Sequence, residues 1–116
     1  MLKVRMPMSV SSAMAIAQRG THKHEDGVVF SHDTRLHGTS IIRLTEHQVT
    51  AFLSGVACPT LVVRARDGWP VPEGVVQRRL QAIGDQTSIA FVDGGHHAHM
   101  DNPQDTLAAI LPFLSP

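Results

Sequence analysis

Apolar and polar positions alternate along the chain with two different rhythms, and the change falls near its middle. In the first half the spacing is helical or irregular. Residues 10–19 predict a helix filled by Ala13, Met14, Ala15, Ile16 and Ala17. Ser9 is placed to cap it, and Gly20 to end it in the left-handed conformation. Residues 21–27 are polar and read as a loop. Residues 28–30, Val-Val-Phe, read as a small strand or extended segment, and 31–40 as irregular. Thr45-Glu46-His47-Gln48 has capping-box spacing and predicts a helix running to about Ser54, with Val49, Phe52 and Leu53 buried.

From Pro59 onward the pattern is that of an α/β sheet. Residues 60–63, Thr-Leu-Val-Val, and 88–92, Ser-Ile-Ala-Phe-Val, are apolar runs of the kind that mark strands buried on both faces. Residues 66–70 form a turn, and Pro72 opens a helix over 72–83 that closes at Gly84. Val75, Val76, Leu80 and Ile83 mark its inner face. Asp93-Gly94-Gly95 predicts a tight turn. Asn102-Pro103 supplies the cap and first residue of a last helix, with Leu107, Ile110, Leu111 and Leu114 on its apolar side. Strand–helix–strand–helix implies a parallel pair, because only a crossover can join parallel neighbours. Two such strands leave faces and edges unprotected. The expectation is therefore the end of a larger α/β sheet, with residues 1–55 as a lid or cap remnant and connecting helix and 56–116 as the sheet portion. A small domain, or a dimer sharing its exposed sheet edge, is the alternative.

Composition narrows the function classes. Ten Lys and Arg balance ten Asp and Glu in 116 residues, so no basic surface is available for nucleic acid. No stretch approaches the roughly 18–20 apolar residues that span a bilayer. The segment Met1 to Val10 lacks the continuous apolar core of a secretory signal. Cys58 is the one cysteine and excludes an internal disulfide. A soluble, cytoplasmic chain without membrane or nucleic-acid partners is expected. Its oddity is eight histidines against no tyrosine and five aromatics.

Three of those histidines lie in Gly94-Gly95-His96-His97-Ala98-His99-Met100-Asp101-Asn102-Pro103, between an apolar strand and a capped helix. Catalytic groups of open α/β sheets collect at the carboxyl ends of strands, and an imidazole there suits general-base work at neutral pH. A surface turn rich in histidine is the competing interpretation. His22 and His24 with His96, His97 and His99 also raise metal binding, but no carboxylate or thiolate stands at a recognised ligand spacing. No metal and no cofactor is assigned.

These residues resemble the catalytic-histidine end of the α/β-hydrolase fold. Cys58-Pro59-Thr60-Leu61-Val62-Val63 is similar to that fold's penultimate strand. Gln18-Arg19-Gly20-Thr21, then Asp33-x-Arg35-Leu36, then Arg43-Leu44-Thr45-Glu46-x-Gln48 resemble the lid region of the serine hydrolase-like proteins. Arg64-Ala65-x-x-Gly68-Trp69 is similar to the segment after the penultimate strand in that group. The resemblance implies a C-terminal portion of an ester-type serine hydrolase with His96 as general base, His97 being the rival. Asp67 is the tentative triad acid, one position off the usual Gly-x-x-Asp placement; a turn-forming Asp-Gly pair is the other role open to it, and an acid on an earlier strand outside this sequence, as in some members of the fold, is the alternative. Phe30, Trp69 and His97 are tentative substrate-pocket residues, Val28 and Leu36 lesser ones, and the substrate class is a small ester-like molecule. No Gly-x-Ser-x-Gly elbow occurs in the sequence, so the chain alone is expected to be inactive. Cys58 reads as a small buried residue. A non-catalytic interaction or lid module is the alternative function.

Overall fold

The computed structural model describes residues 7–38 and 40–115; Met1 to Met6 of the segment tested as a signal lie outside them. The order is α1 (Val10–Gly20), β1 (Thr21–His24), β2 (Gly27–Phe30), a 3-10 turn (Thr34–His37), α2 (Glu46–Leu53), β3 (Thr60–Asp67), α3 (Glu73–Ile83), β4 (Thr87–Gly95), α4 (Ala98–Asp101) and α5 (Pro103–Leu114). The chain is mixed α/β, with β1 and β2 antiparallel and β3 and β4 parallel.

Ser9 caps α1 by accepting the Ser12 N–H at 3.1 Å. Gly20 does not stop the helix in a left-handed conformation. The positive-φ glycines among the described residues are Gly27, Gly84 and Gly94. Instead Thr21 turns directly into extended backbone, and its hydroxyl donates to the Ala17 carbonyl at 2.7 Å. The polar residues expected as a loop thus form β1, paired Thr21 to Phe30 and His24 to Gly27. Backbone ladder bonds make this hairpin, so the sequence carries no apolar alternation to announce it.

The Thr45 capping box is present: the Thr45 hydroxyl accepts the Gln48 N–H at 3.3 Å, and Gln48 Oε1 accepts the Thr45 N–H at 2.8 Å. Arg79 grips Glu46 through two hydrogen bonds of 3.0 and 2.8 Å and so ties α2 to α3. Val49 and Leu53 are half-buried, but Phe52 is exposed, contrary to expectation: α2 packs on α3, and the Phe52 side of the helix is left uncovered.

β3 and β4 run in register from Thr60–Thr87 to Ala65–Val92, and after a bulge Asp67 faces Gly95. Both strands are longer than their apolar runs, and Asp93-Gly94-Gly95 completes β4 where a turn was expected. They are not buried on both faces either. Val92 is buried at 5% exposure, whereas Ile89 and Phe91, on the opposite side of the pleat, are 42% and 50% exposed. Pro72 precedes α3 as its cap residue rather than lying inside its first turn, and Val75, Val76, Leu80 and Ile83 are half-buried as expected. Asn102 and Pro103 start α5, yet Leu107, Leu111 and Leu114 remain exposed.

Among the described residues, Val92 and Ala98 are the buried apolar ones. The accessible surface is 9504 Å², against about 6,200 Å² for a compact monomer of this mass. The radius of gyration is 17.7 Å, where about 13–14 Å is usual for this length. The apolar faces of the sheet and of α5 are therefore open. No helix among the described residues is long and apolar enough to cross a membrane.

Candidate active site

The carboxyl ends of β3 and β4 are braced against each other. Arg66 donates through Nε to Asp93 Oδ1 at 2.9 Å across the strand ends. Beyond this clamp the two chains diverge into the segments that carry the candidate residues. On the β3 side, the Gly68 N–H bonds the Ala65 carbonyl at 3.2 Å. A Cβ at Gly68 would approach that oxygen to 3.1 Å, a tight contact, so glycine suits the close turn that leads to Trp69. On the β4 side, Gly94 takes φ +121°, a conformation open to glycine and strained for other residues.

His96 emerges immediately after Gly95, the register partner of Asp67. Its ring meets the Trp69 indole edge-on, with centroids 5.6 Å apart. His97 ends the extended path. Its carbonyl accepts the Met100 and Asp101 N–H groups at 2.8 and 2.9 Å and so begins α4. Asp101 then reaches back to the start of the described chain, where Oδ1 accepts the Ser9 N–H at 3.1 Å. The neighbouring Ser12 and Ser9 hydroxyls hold the Asp101 carboxyl below the ordinary carboxylate range.

A cleft of about 330 Å³ opens at this end of the sheet. Val63, Ala65 and Val92 supply apolar walls, and Trp69, His96 and His99 supply the aromatic and polar side. Val63 and Ala65 share the lining with Arg64 between them, and consecutive strand residues point to opposite faces. The cleft thus meets β3 on one side and Val92, Ala98, His99 and Thr106 on the other, and β3 has no second strand beside it among the described residues.

Of the residues singled out from sequence, His96 and Trp69 come together in this cleft. Asp67 stands beside it at the strand end, exposed and in no ion pair among the described residues. His97 lies next to His96, with ring centroids 5.0 Å apart, but does not line the cleft. Phe30 is elsewhere: it sits on the β1–β2 hairpin with its ring 5.3 Å from His32. His99 lines the cleft and was not singled out as a pocket residue, although its place three residues after His96 on a turn that becomes helical is a usable signal. Cys58 is exposed, not buried, because it lies in the connection before β3. Among the described residues no three His, Cys, Asp or Glu side chains are grouped to hold a metal ion.

Comparison with known proteins gives an informative relationship. The chain is 31% identical over 121 residues to the serine hydrolase-like protein of Danio rerio. The two chains are related. The match covers 99% of this chain and 37% of the Danio rerio protein, so this chain spans little more than a third of its relative's length. No protein-family model matches the sequence, and no solved structure matches it.

Proposed function

We propose that this chain supplies the histidine end of an α/β-hydrolase-fold serine hydrolase acting on a small ester-like substrate. The observation that carries the proposal is the pairing of Asp67 with Gly95 at the ends of two parallel strands, one residue before His96. It supports the reading because the segments bearing the carboxylate and the imidazole leave the sheet at the same carboxyl end, where His96 lines the cleft. In this scheme His96 takes the proton of a serine hydroxyl as the serine oxygen attacks the ester carbonyl. It then gives that proton to the departing alkoxide, and activates water to release the acyl group. Asp67 and His96 share no hydrogen bond among the described residues; in this scheme the Asp67 carboxylate turns to the ring to orient it and to balance its charge while it is protonated. Trp69 and His99 border the substrate. The serine and the amides that stabilise the oxyanion come from a further body of protein, packed against the open edge of β3. The relationship to a serine hydrolase-like protein and the unfilled apolar faces support this arrangement.

The test is complementation. The chain is co-expressed with the portion of the Danio rerio protein outside the matched segment, and the pair is labelled with a fluorophosphonate. Labelling is expected with the wild-type chain, to be lost on His96→Ala and reduced on Asp67→Asn. Labelling that survives His96→Ala removes the general-base role. A complex that assembles but never labels favours the second interpretation, a non-catalytic interaction module, which the exposed Leu107, Leu111 and Leu114 face of α5 also suits.

A further inference from the structure

The second concentration of imidazoles lies away from the cleft, after the hairpin. Asp33 caps the 3-10 turn Thr34–His37 by accepting the Arg35 N–H at 2.9 Å. That turn folds the segment back so that His32 Nε2 and His37 Nε2 stand 2.7 Å apart. Their rings are near perpendicular, at 71°, with centroids 4.6 Å apart. One nitrogen of such a pair donates its hydrogen and the other accepts. Moving that hydrogen to Nδ1 of the same ring leaves a lone pair on each of two neighbouring Nε2 atoms.

We propose that His32 and His37 form a two-imidazole site for a divalent first-row metal ion that prefers right-angled coordination, Cu²⁺ or Ni²⁺. The spacing favours one class of ion. With metal–nitrogen bonds of about 2.05 Å, two cis ligands at right angles hold their nitrogens about 2.9 Å apart and their ring centres about 4.5 Å apart. Tetrahedral coordination requires about 3.3 Å and about 5.2 Å. The observed 2.7 Å and 4.6 Å match the right-angled pair within about 0.2 Å on both measures and miss the tetrahedral one by about 0.6 Å. Water completes the shell, because the nearby Asp33 carboxylate is already held by the Arg35 guanidinium through both oxygens. Both rings are exposed, so an ion has an open approach, and the Phe30 ring backs His32 from one side. The bound ion would replace a hydrogen bond with two coordinate bonds and staple the end of the hairpin to the turn.

The experiment is calorimetric titration of NiCl₂ and ZnCl₂ into the 116-residue chain and its variants. The tightest Ni²⁺ site is expected to weaken at least tenfold in His32→Ala and in His37→Ala, and to bind Ni²⁺ more tightly than Zn²⁺. His37→Gln keeps a hydrogen-bonding partner for His32, and so preserves the turn, but it is expected to lose the ion equally. The double variant His22→Ala/His24→Ala is expected to bind as the wild type does. Absence of Ni²⁺ binding, unchanged affinity in either single variant, tighter Zn²⁺ than Ni²⁺ binding, or a loss produced by the His22/His24 variant would each overturn the proposal. The outcome is independent of whether His96 is a catalytic base.

Discussion

Two adjacent glycines at the end of β4 allow a sharp test of how the histidine turn is built. Gly94 has φ +121°, and a Cβ placed there would lie 3.5 Å from the Ala98 Cβ and 3.7 Å from its Cα, which is ordinary contact. Gly94→Ala therefore carries a backbone penalty without a steric one, about 1–3 kcal/mol. That range corresponds to roughly 5–150-fold in the folding equilibrium. Gly95 has no such φ, and its nearest neighbour for a Cβ is the Asp67 carbonyl oxygen at 3.8 Å. Gly95→Ala should stay within about 0.5 kcal/mol of wild type. Urea unfolding followed through Trp69, the one tryptophan, reads both variants. With a denaturant slope of about 1–3 kcal/mol per molar, Gly94→Ala should lower the midpoint by roughly 0.3–3 M and Gly95→Ala should leave it nearly in place. Equal midpoints for the two variants, or greater damage from Gly95→Ala, would refute the claim that Gly94 conformation sets the turn.

Two further outcomes rest on local chemistry. Thr45→Ala removes the hydroxyl that accepts the Gln48 N–H and should cost α2 about 1 kcal/mol, seen as faster amide exchange in its first turn, while Thr45→Ser should restore protection. Asp101 has a lowered native pKa, caused by the Ser12 and Ser9 hydroxyls. Its contribution is therefore complete above the ordinary Asp range and is lost as pH falls through the lowered native value. The Ser9 amide, which donates to Asp101, should lose relative protection over that acid interval in wild type, and at every pH in Asp101→Ala.

The features legible in the sequence were those that local physics determines. The capping box at Thr45, the Asn102-Pro103 helix start and the helical spacing of Val75, Val76, Leu80 and Ile83 depend on neighbours within a turn or two, and all are present. The parallel pairing of β3 and β4 came from the connecting helix. β1 was missed because Thr21, His22, Lys23 and His24 carry no apolar alternation, and a backbone ladder needs none. The burial of Phe52, Leu107, Leu111 and Leu114 was misjudged for another reason: an apolar stripe states what a helix can bury, not whether a partner is present. At the cleft, the turn residues announced His96 and Trp69. The link from Asp101 to Ser9 spans 92 positions and has no local signature.

That link gives the molecule a mechanical property. A hydrogen bond from the first described helix to the short helix behind the candidate histidines closes the chain into a ring, so displacement at one end is felt at the other. The bond joins the N-cap of α1 to the last residue of α4, the single turn that carries His99 into the cleft. Residues 9–20 are thereby fastened to the end of the sheet that bears the cleft, although no strand passes between them.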